Sequence, residues 1–358
     1  MEEGTKIIGY WILEKKRQKL NWDEFIRICH QEGFILKEID LNKNLEAQGP
    51  FDVFLHKLTD ILAFAESGDQ SSRTIISNVQ KYISDHPEMI VIDPLENIKN
   101  LSNRQKLNEM LHKNIESIDV FTPKSIELKF SSITENLNHL KKAGIKFPCI
   151  CKPLLAHGSS DAHKMMIIFN EKGLKDCQLP CVAQDFINHN AILYKVFIVG
   201  NYFHVVERPS LKNFYPKDCE SSETLFFSSH DISKSGSKSQ WSIISKEDEG
   251  LSVKPNQEIF KRLVKKIIKV FGLILVGFDV VIENHTKRYG IIDVNVFPGY
   301  DGYPHFFTHL IDVIKILISK RNRKKNNHTY FLFEKCTHEL ETKFTSDELQ
   351  KNVQNNID

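Results

Sequence analysis

Two strand-like runs, Val276 to Val280 (VGFDV) and Ile292 to Val296 (IDVNV), each carry an acid inside an otherwise apolar stretch. A carboxylate in such surroundings is costly unless something pairs with it. Asp293 and Asn295 lie two apart, so their side chains share one strand face while Ile292, Val294 and Val296 take the other. A hairpin with its turn near Thr286 brings Asp279 opposite Asp293, with side chains ~5 Å apart. Two carboxylates that close repel, and a hard divalent cation relieves the repulsion. Mg²⁺ takes oxygen ligands, so Asp279, Asp293 and Asn295 read as a metal-ligand set. The alternative is one acid capped by backbone and another exposed at a sheet edge.

A metal of this kind usually works on phosphate, and phosphate needs cations. The chain has neither G-x-x-x-x-G-K-[ST] nor G-x-G-x-x-G. Candidate cations are instead two lysines inside apolar strands, Lys152 and Lys195. Either could reach solvent along its own stem. Lys152 leads into the small-residue loop from Ala156 to His163 (AHGSSDAH), a segment able to fold over phosphates. A second group of cations, Lys15, Lys16, Arg17 and Lys57, follows the first and third strand-like runs. In open α/β sheets ligands gather beyond the carboxyl ends of strands, so these suit a multiply phosphorylated substrate, or else form a solvated patch.

The elements that must position these residues follow from hydrophobic patterning. Residues 6–93 alternate strand and helix signals, which implies a small α/β domain with a mostly parallel sheet. A helix over 99–116 and strands at 147–152, 165–169 and 181–186 form a second block. A third carries strands at 192–199 and 202–206, a polar excursion over 217–240, a helix at 257–271 and the acid-bearing hairpin. The division expected is 1–98, 99–190 and 191–319, then a polar tail over 320–358, partly disordered and opened by a basic run.

Composition narrows the partners. The 358 residues hold 48 Lys+Arg against 46 Asp+Glu, a net charge of +2 that gives no field for nucleic acid or membrane. Seven cysteines are scattered, and Cys177 and Cys181 flank a loop without a matching Cys/His pair nearby. Free thiols are therefore expected rather than a zinc site. The acidic start lacks the features of a signal peptide, so a cytoplasmic monomer is expected.

Several segments together resemble the inositol 1,3,4-trisphosphate 5/6-kinase family, also called inositol-tetrakisphosphate 1-kinases. They are Gly9 to Lys16 (GYWILEKK), His56 to Asp60 (HKLTD), Cys151 to Gly158 (CKPLLAHG), Gln184 to Asn190 (QDFINHN), Tyr194 to Phe197 (YKVF), Arg208 to Asn213 (RPSLKN) and Asp293 to Tyr300 (DVNVFPGY). The resemblance implies an α/β (α+β) ATP-grasp fold with ATP held between central and C-terminal subdomains. It places Lys152, Arg104, Ser210, Ser229 and Ser233 on the nucleotide, and the segment Gln184, Asp185, Phe186, Ile187 on adenine. It matches Asp279, Asp293 and Asn295 to the metal ligands, with two Mg²⁺ ions expected. Lys16, Lys57, His163, Lys195, Asn295 and Gly299 match inositol phosphate positions, and Arg208 a γ-phosphate contact. His157, at the other end of the loop, competes with His163 for the functional histidine.

The activity implied is phosphoryl transfer from ATP to inositol 1,3,4-trisphosphate (5/6 position) or inositol 3,4,5,6-tetrakisphosphate (1 position). Lys195, His163 and Arg208 are the expected catalytic groups. The rival readings are an ATP-grasp carboxylate–amine ligase using the same metal set, and a catalytically silent inositol phosphate sensor.

Overall fold

The computed structural model describes residues 5–156, 160–215, 221–248 and 254–326. Its first unit is a four-stranded parallel sheet, in order β2-β1-β3-β4. The strands are β1 (Lys6–Trp11), β2 (Phe34–Glu38), β3 (Val53–His56) and β4 (Ile90–Ile92). Helices α1 (Glu14–Lys19), α2 (Trp22–Gln31), α3 (Thr59–Glu66), α4 (Gln70–Asp85) and α5 (Leu95–Lys99) connect and cover them. Buried Trp22, Phe25, Ile28 and Cys29 form one stripe of α2 at helical spacing, and the Asp69 carboxylate caps α4 by accepting from Ser72 N.

Helix α6 (Arg104–Ile115) and strand β5 (Val120–Phe121) follow, then the central sheet. That sheet comprises β6 (Ser125–Leu128), β7 (Cys149–Pro153), β8 (Lys164–Ile168) and β9 (Cys181–Asp185), with α7 (Ile133–Ala143) between the first two. The C-terminal sheet is built from β10 (Ile192–Val199), β11 (Tyr202–Pro209), β13 (Leu275–Ile282) and β14 (Tyr289–Val296). Between β11 and β13 lie β12 (Leu225–Ser228), α8 (Ser229–Ile232) and α9 (Gln257–Phe271), and α10 (Phe306–Asn326) closes the described chain.

The two later sheets exchange strands. β5, from the second block, pairs in parallel with β14, giving the order β11-β10-β13-β14-β5. β12, from within the excursion read as polar, pairs with β8, giving β12-β8-β7-β9-β6. Alternation over Leu225–Ser228 is short, and the strand forms only because β8 offers it an edge. Likewise α6 sends Leu107, Leu111 and Ile115 into the apolar core of the C-terminal sheet.

That core is continuous with the core of the first sheet, and Phe25 of α2 stacks on Phe307 of α10 with centroids 4.8 Å apart. The central sheet has separate apolar clusters, one around Leu140 and Cys151, the other around Ile167 and Phe214. The basic run expected to open a loose tail is instead the last stretch of α10. Arg321 there pairs with Asp52 at 3.1 Å and donates to the Glu88 carbonyl, fastening the helix to the first sheet. The remainder of that tail, 327–358, lies outside the described residues.

Candidate active site

The hairpin has the register read from its symmetry: Asp279 pairs with Asp293 across β13–β14. Immediately beyond, the register slips so that Val280 faces Ile291. Such a bulge re-aims side chains and is common beside active sites. On the other flank of β13, Asp279 pairs with Lys195 of β10. Lys195, Asp279 and Asp293 thus form one row across three strands, all on one face. Lys195 Nζ lies 2.9 Å from Asp279 Oδ2, and Asn295 Nδ2 lies 3.4 Å from Asp293 Oδ2. Burial pushes the Asp279 carboxyl above its ordinary value, with Lys195 opposing and Asp293 adding to the rise. Arg208 sits opposite Leu193, two positions along β10 from Lys195, so it shares that face. Its guanidinium is held by the Asp301 carbonyl and carboxylate, each at 2.8 Å.

Lys152, buried on β7, reaches the opposite wall, donating to the Ile292 carbonyl at 2.8 Å. Burial lowers it to about 8, with Asp293 opposing the drop and Arg104 assisting it. Arg104 is the first residue of α6, whose cap is the Asn103 side chain accepting from Lys106 N. Its guanidinium donates to the carbonyls of Pro153, Leu155 and Ala162 at 2.6, 2.9 and 3.0 Å. It therefore ties together both ends of the small-residue loop. His157, at the start of that loop, lies outside the described residues. His163 at its end packs on His230 with centroids 3.9 Å apart. Burial holds His163 down to about 4, with His230, Arg104 and Lys57 acting in the same direction and Asp293 opposing.

The lysines of the first sheet arrive at the other end of the row. Lys57, just past β3, donates to the Phe297 carbonyl at 2.8 Å, and Lys16 of α1 donates to Phe297 and Pro298. Burial lowers Lys57 to about 8 and Lys16 well below an ordinary lysine, where Lys57 adds repulsion. Phe297 adopts φ +41°, a conformation costly for a side-chain-bearing residue and concentrated at functional turns. Gly277 makes this turn possible: a Cβ there would stand 2.9 Å from the Pro298 ring that lies over it. Gly299 follows, exposed, with nothing within 4 Å of where its Cβ would be.

The segment matched to adenine begins at the end of β9. Gln184 is buried, and its Nε2 has no partner among the described residues, a donor left over for a ligand. Asp185 accepts from Lys146 N at 3.3 Å, and Phe186 packs against Phe214. The Ile187 carbonyl takes His189 Nδ1, while His189 Nε2 meets Ser210 Oγ at 2.7 Å. Ser210 is thus engaged in holding His189. Ser233 Oγ donates back to the Ser229 carbonyl within α8. Sequence reasoning gave no role to His189 or to the asparagines that fix this segment, although they fall within the matched motifs. Asn188 exchanges two bonds with the backbone of Phe214, both 2.9 Å, and Asn213 exchanges two with Asn190. His230 was likewise missed, since nothing in a polar stretch marks a residue that β12 and α8 carry to His163.

Two family descriptions match the chain: the inositol 1,3,4-trisphosphate 5/6-kinase pre-ATP-grasp domain over residues 7–98, and the corresponding ATP-grasp domain over 114–316. The chain belongs to the inositol 1,3,4-trisphosphate 5/6-kinase family. It is accordingly an ATP-dependent kinase. An inositol-tetrakisphosphate 1-kinase from Danio rerio is 42% identical over 318 residues, covering 87% of this chain and 79% of that protein. One from Xenopus laevis is 40% identical, covering 90% and 81%. Among solved structures, the ATP complex of D-alanine–D-alanine ligase from Bacillus anthracis superposes with TM-score 0.54 at 15% identity, covering 90% of this chain and all of that one. The macrocyclase MdnC from Microcystis aeruginosa gives 0.52 at 11%, covering 88% and 99%. At such identities these show the ATP-grasp fold alone, as the sequence resemblance implied.

Proposed function

We propose that the chain transfers the ATP γ-phosphate to a ring hydroxyl of an inositol polyphosphate. The acceptors are inositol 1,3,4-trisphosphate at its 5 or 6 position and inositol 3,4,5,6-tetrakisphosphate at its 1 position. One observation carries the reading: Lys16 and Lys57 from the first sheet converge at the rim of the Lys195–Asp279–Asp293 row. An acyl acceptor of a ligase does not call for so many cations, whereas several ring phosphates do. The family relationship supports the same assignment.

Asp279, Asp293 and Asn295 fit Mg²⁺, because they offer three oxygen donors on one face at adjoining register positions, two of them carboxylates. Bound there, Mg²⁺ supplies charge neutralisation for a transferring phosphoryl group. The chain's own residues do the rest. Lys152 and Arg104 present positive charge to the nucleotide phosphates, and the wall from Gln184 to Ile187 receives the base. Ser210, Ser229 and Ser233 border that nucleotide side. Lys195 and Arg208 face the transferring group. Lys16, Lys57 and the open turn at Gly299 orient the acceptor by the phosphates it already carries. His163, held neutral near pH 7, accepts a hydrogen bond from the attacking hydroxyl and orients it. Positioning and electrostatics dominate such transfers.

We also propose that the protein acts as a cytoplasmic monomer. No helix among the described residues is long and apolar enough to cross a membrane. The deciding experiment is transfer of radiolabelled γ-phosphate from ATP, with Mg²⁺, to separate inositol tris- and tetrakisphosphates resolved by anion exchange. Label in a more highly phosphorylated inositol is the expected result. No label in any of them, with activity toward amino acids or peptides, would establish a ligase instead.

A further inference from the structure

Behind the nucleotide wall the central sheet gathers cysteines from three places in the chain. Cys151 lies on β7, Cys181 opens β9, and Cys177 lies in the turn before it. Cys151 pairs with Ala183 and Pro153 with Cys181, so Cys151 and Cys181 are diagonal neighbours on one sheet face. Cys149, two residues before Cys151, is on that face too. It is the face opposite Lys152. The three sulfurs of Cys151, Cys177 and Cys181 all lie within 4.8 Å of one another, and those of Cys151 and Cys177 are 3.8 Å apart.

That separation is informative. It is far longer than a disulfide bond of ~2.05 Å. Sulfurs that share a tetrahedral zinc, at the usual ~2.3 Å, stand about 3.8 Å from one another. Leu140, Ile145, Met166 and Leu174 enclose the cluster, while Cys177 is half-buried and gives a path from solvent. Cys177 Sγ is directed at Cys151 Sγ across that 3.8 Å.

We propose that Cys151, Cys177 and Cys181 form a three-thiolate binding site, its fourth position left to water, for a thiophilic divalent cation, zinc, that braces β7 against β9. Binding converts the ligating thiols to thiolates and releases their protons to solvent. The site is separate from the oxygen ligands of Asp279, Asp293 and Asn295, which suit a hard ion. Its occupancy stiffens the two strands that carry Lys152 and Gln184 without touching the reacting groups.

The test uses the full chain under reducing conditions, with Mg²⁺ in excess to fill the carboxylate site, titrated with Co²⁺ alone as a spectroscopic stand-in for zinc. The expected result is one equivalent bound with sulfur-to-cobalt charge-transfer absorption, displaced by Zn²⁺. That absorption is lost in Cys177→Ser and in Cys181→Ser. It is retained when Cys219 and Cys336, which lie outside the described residues, are both changed to Ser. No charge-transfer absorption in the unaltered protein overturns the proposal. So does absorption that survives Cys177→Ser and Cys181→Ser, or that disappears in the Cys219/Cys336 variant.

Discussion

Lys195 and Asp279 are cross-strand partners whose side chains meet at 2.9 Å, and Asp293 stands next in the same row. The lysine thus offsets part of the repulsion between two carboxylates that face each other. Among the described residues Asp293 accepts a hydrogen bond only from the Asn295 amide, at 3.4 Å, whereas Asp279 is held directly by a lysine. Replacing Asp293 by Ala is expected to lower kcat by at least about 100-fold, in line with loss of one electrostatic stabiliser at a transferring group. The melting temperature should stay within a few degrees, because the side chain is not part of the core. Near-normal turnover at saturating Mg²⁺ would remove Asp293 from the metal set.

On the proposed reading, Lys16 and Lys57 serve the acceptor rather than ATP. Changing either to Ala should raise KM for the inositol phosphate about tenfold or more, since each ~1.4 kcal/mol of lost binding is a factor of ten. KM for ATP should hardly move. Equal rises in both constants would show that the lysines act through the fold.

Two of the site's lysines, Lys57 and Lys152, are expected to set a pH limit. Burial lowers Lys57 to about 8, and Lys152 likewise, so both are charged below that value and lose charge above it. The cationic form is the one that binds phosphate. kcat/KM, which reports the free enzyme, should therefore fall as pH rises through about 8. kcat should fall later, because bound phosphate favours the charged lysine. Lys57→Arg should move the limb for the acceptor upward, and an unchanged profile in that variant would assign the limb elsewhere.

Gly299 tests the open space beyond the turn. A methyl group there meets nothing within 4 Å, so Gly299→Ala should fold normally. It would nevertheless stand where the acceptor is expected, and KM for the inositol phosphate should rise while thermal stability is unchanged. An unaltered KM would place the substrate away from this turn.

Asp93 concerns stability instead. Its buried carboxylate accepts from Ile274 N and Leu275 N at 2.7 and 2.9 Å, joining the end of β4 to the start of β13. Asp93→Ala leaves two buried backbone donors without acceptors and should cost roughly 2–5 kcal/mol. Urea melts read this directly, and a change below 1 kcal/mol would mean that water replaces the carboxylate.

Much of the site was legible because its signals are local. Alternation over Leu275–Ile282 and Tyr289–Val296 with one short turn determines which acids face each other, and the structure has that register. The α/β character of the first unit follows from strands and helices alternating at short spacing. What escaped depends on partners far away in sequence. β12 is a strand only beside β8, and β5 only beside β14. His230 becomes a neighbour of His163 through that same pairing. The cysteines read as scattered because ligand spacing was sought within one segment, whereas a sheet brings Cys151 to Cys181 across thirty positions. The basic run at 320 looked like a tail because its anchor, Asp52, lies 269 residues earlier.

The Phe297 carbonyl receives Lys57 and Lys16 across 240 and 281 residues. Contacts so distant in sequence form late, and a chain emerges from the ribosome with its N-terminal sheet first. A nascent chain can therefore pair β1 with β3 while both lysines still lack the acceptor that lets them be buried. On the proposed reading, recognition of the acceptor arises only once β14 and its turn have been made. A fragment that stops short of it is then expected to retain the cations without the pocket, which makes completeness of translation a precondition for substrate recognition.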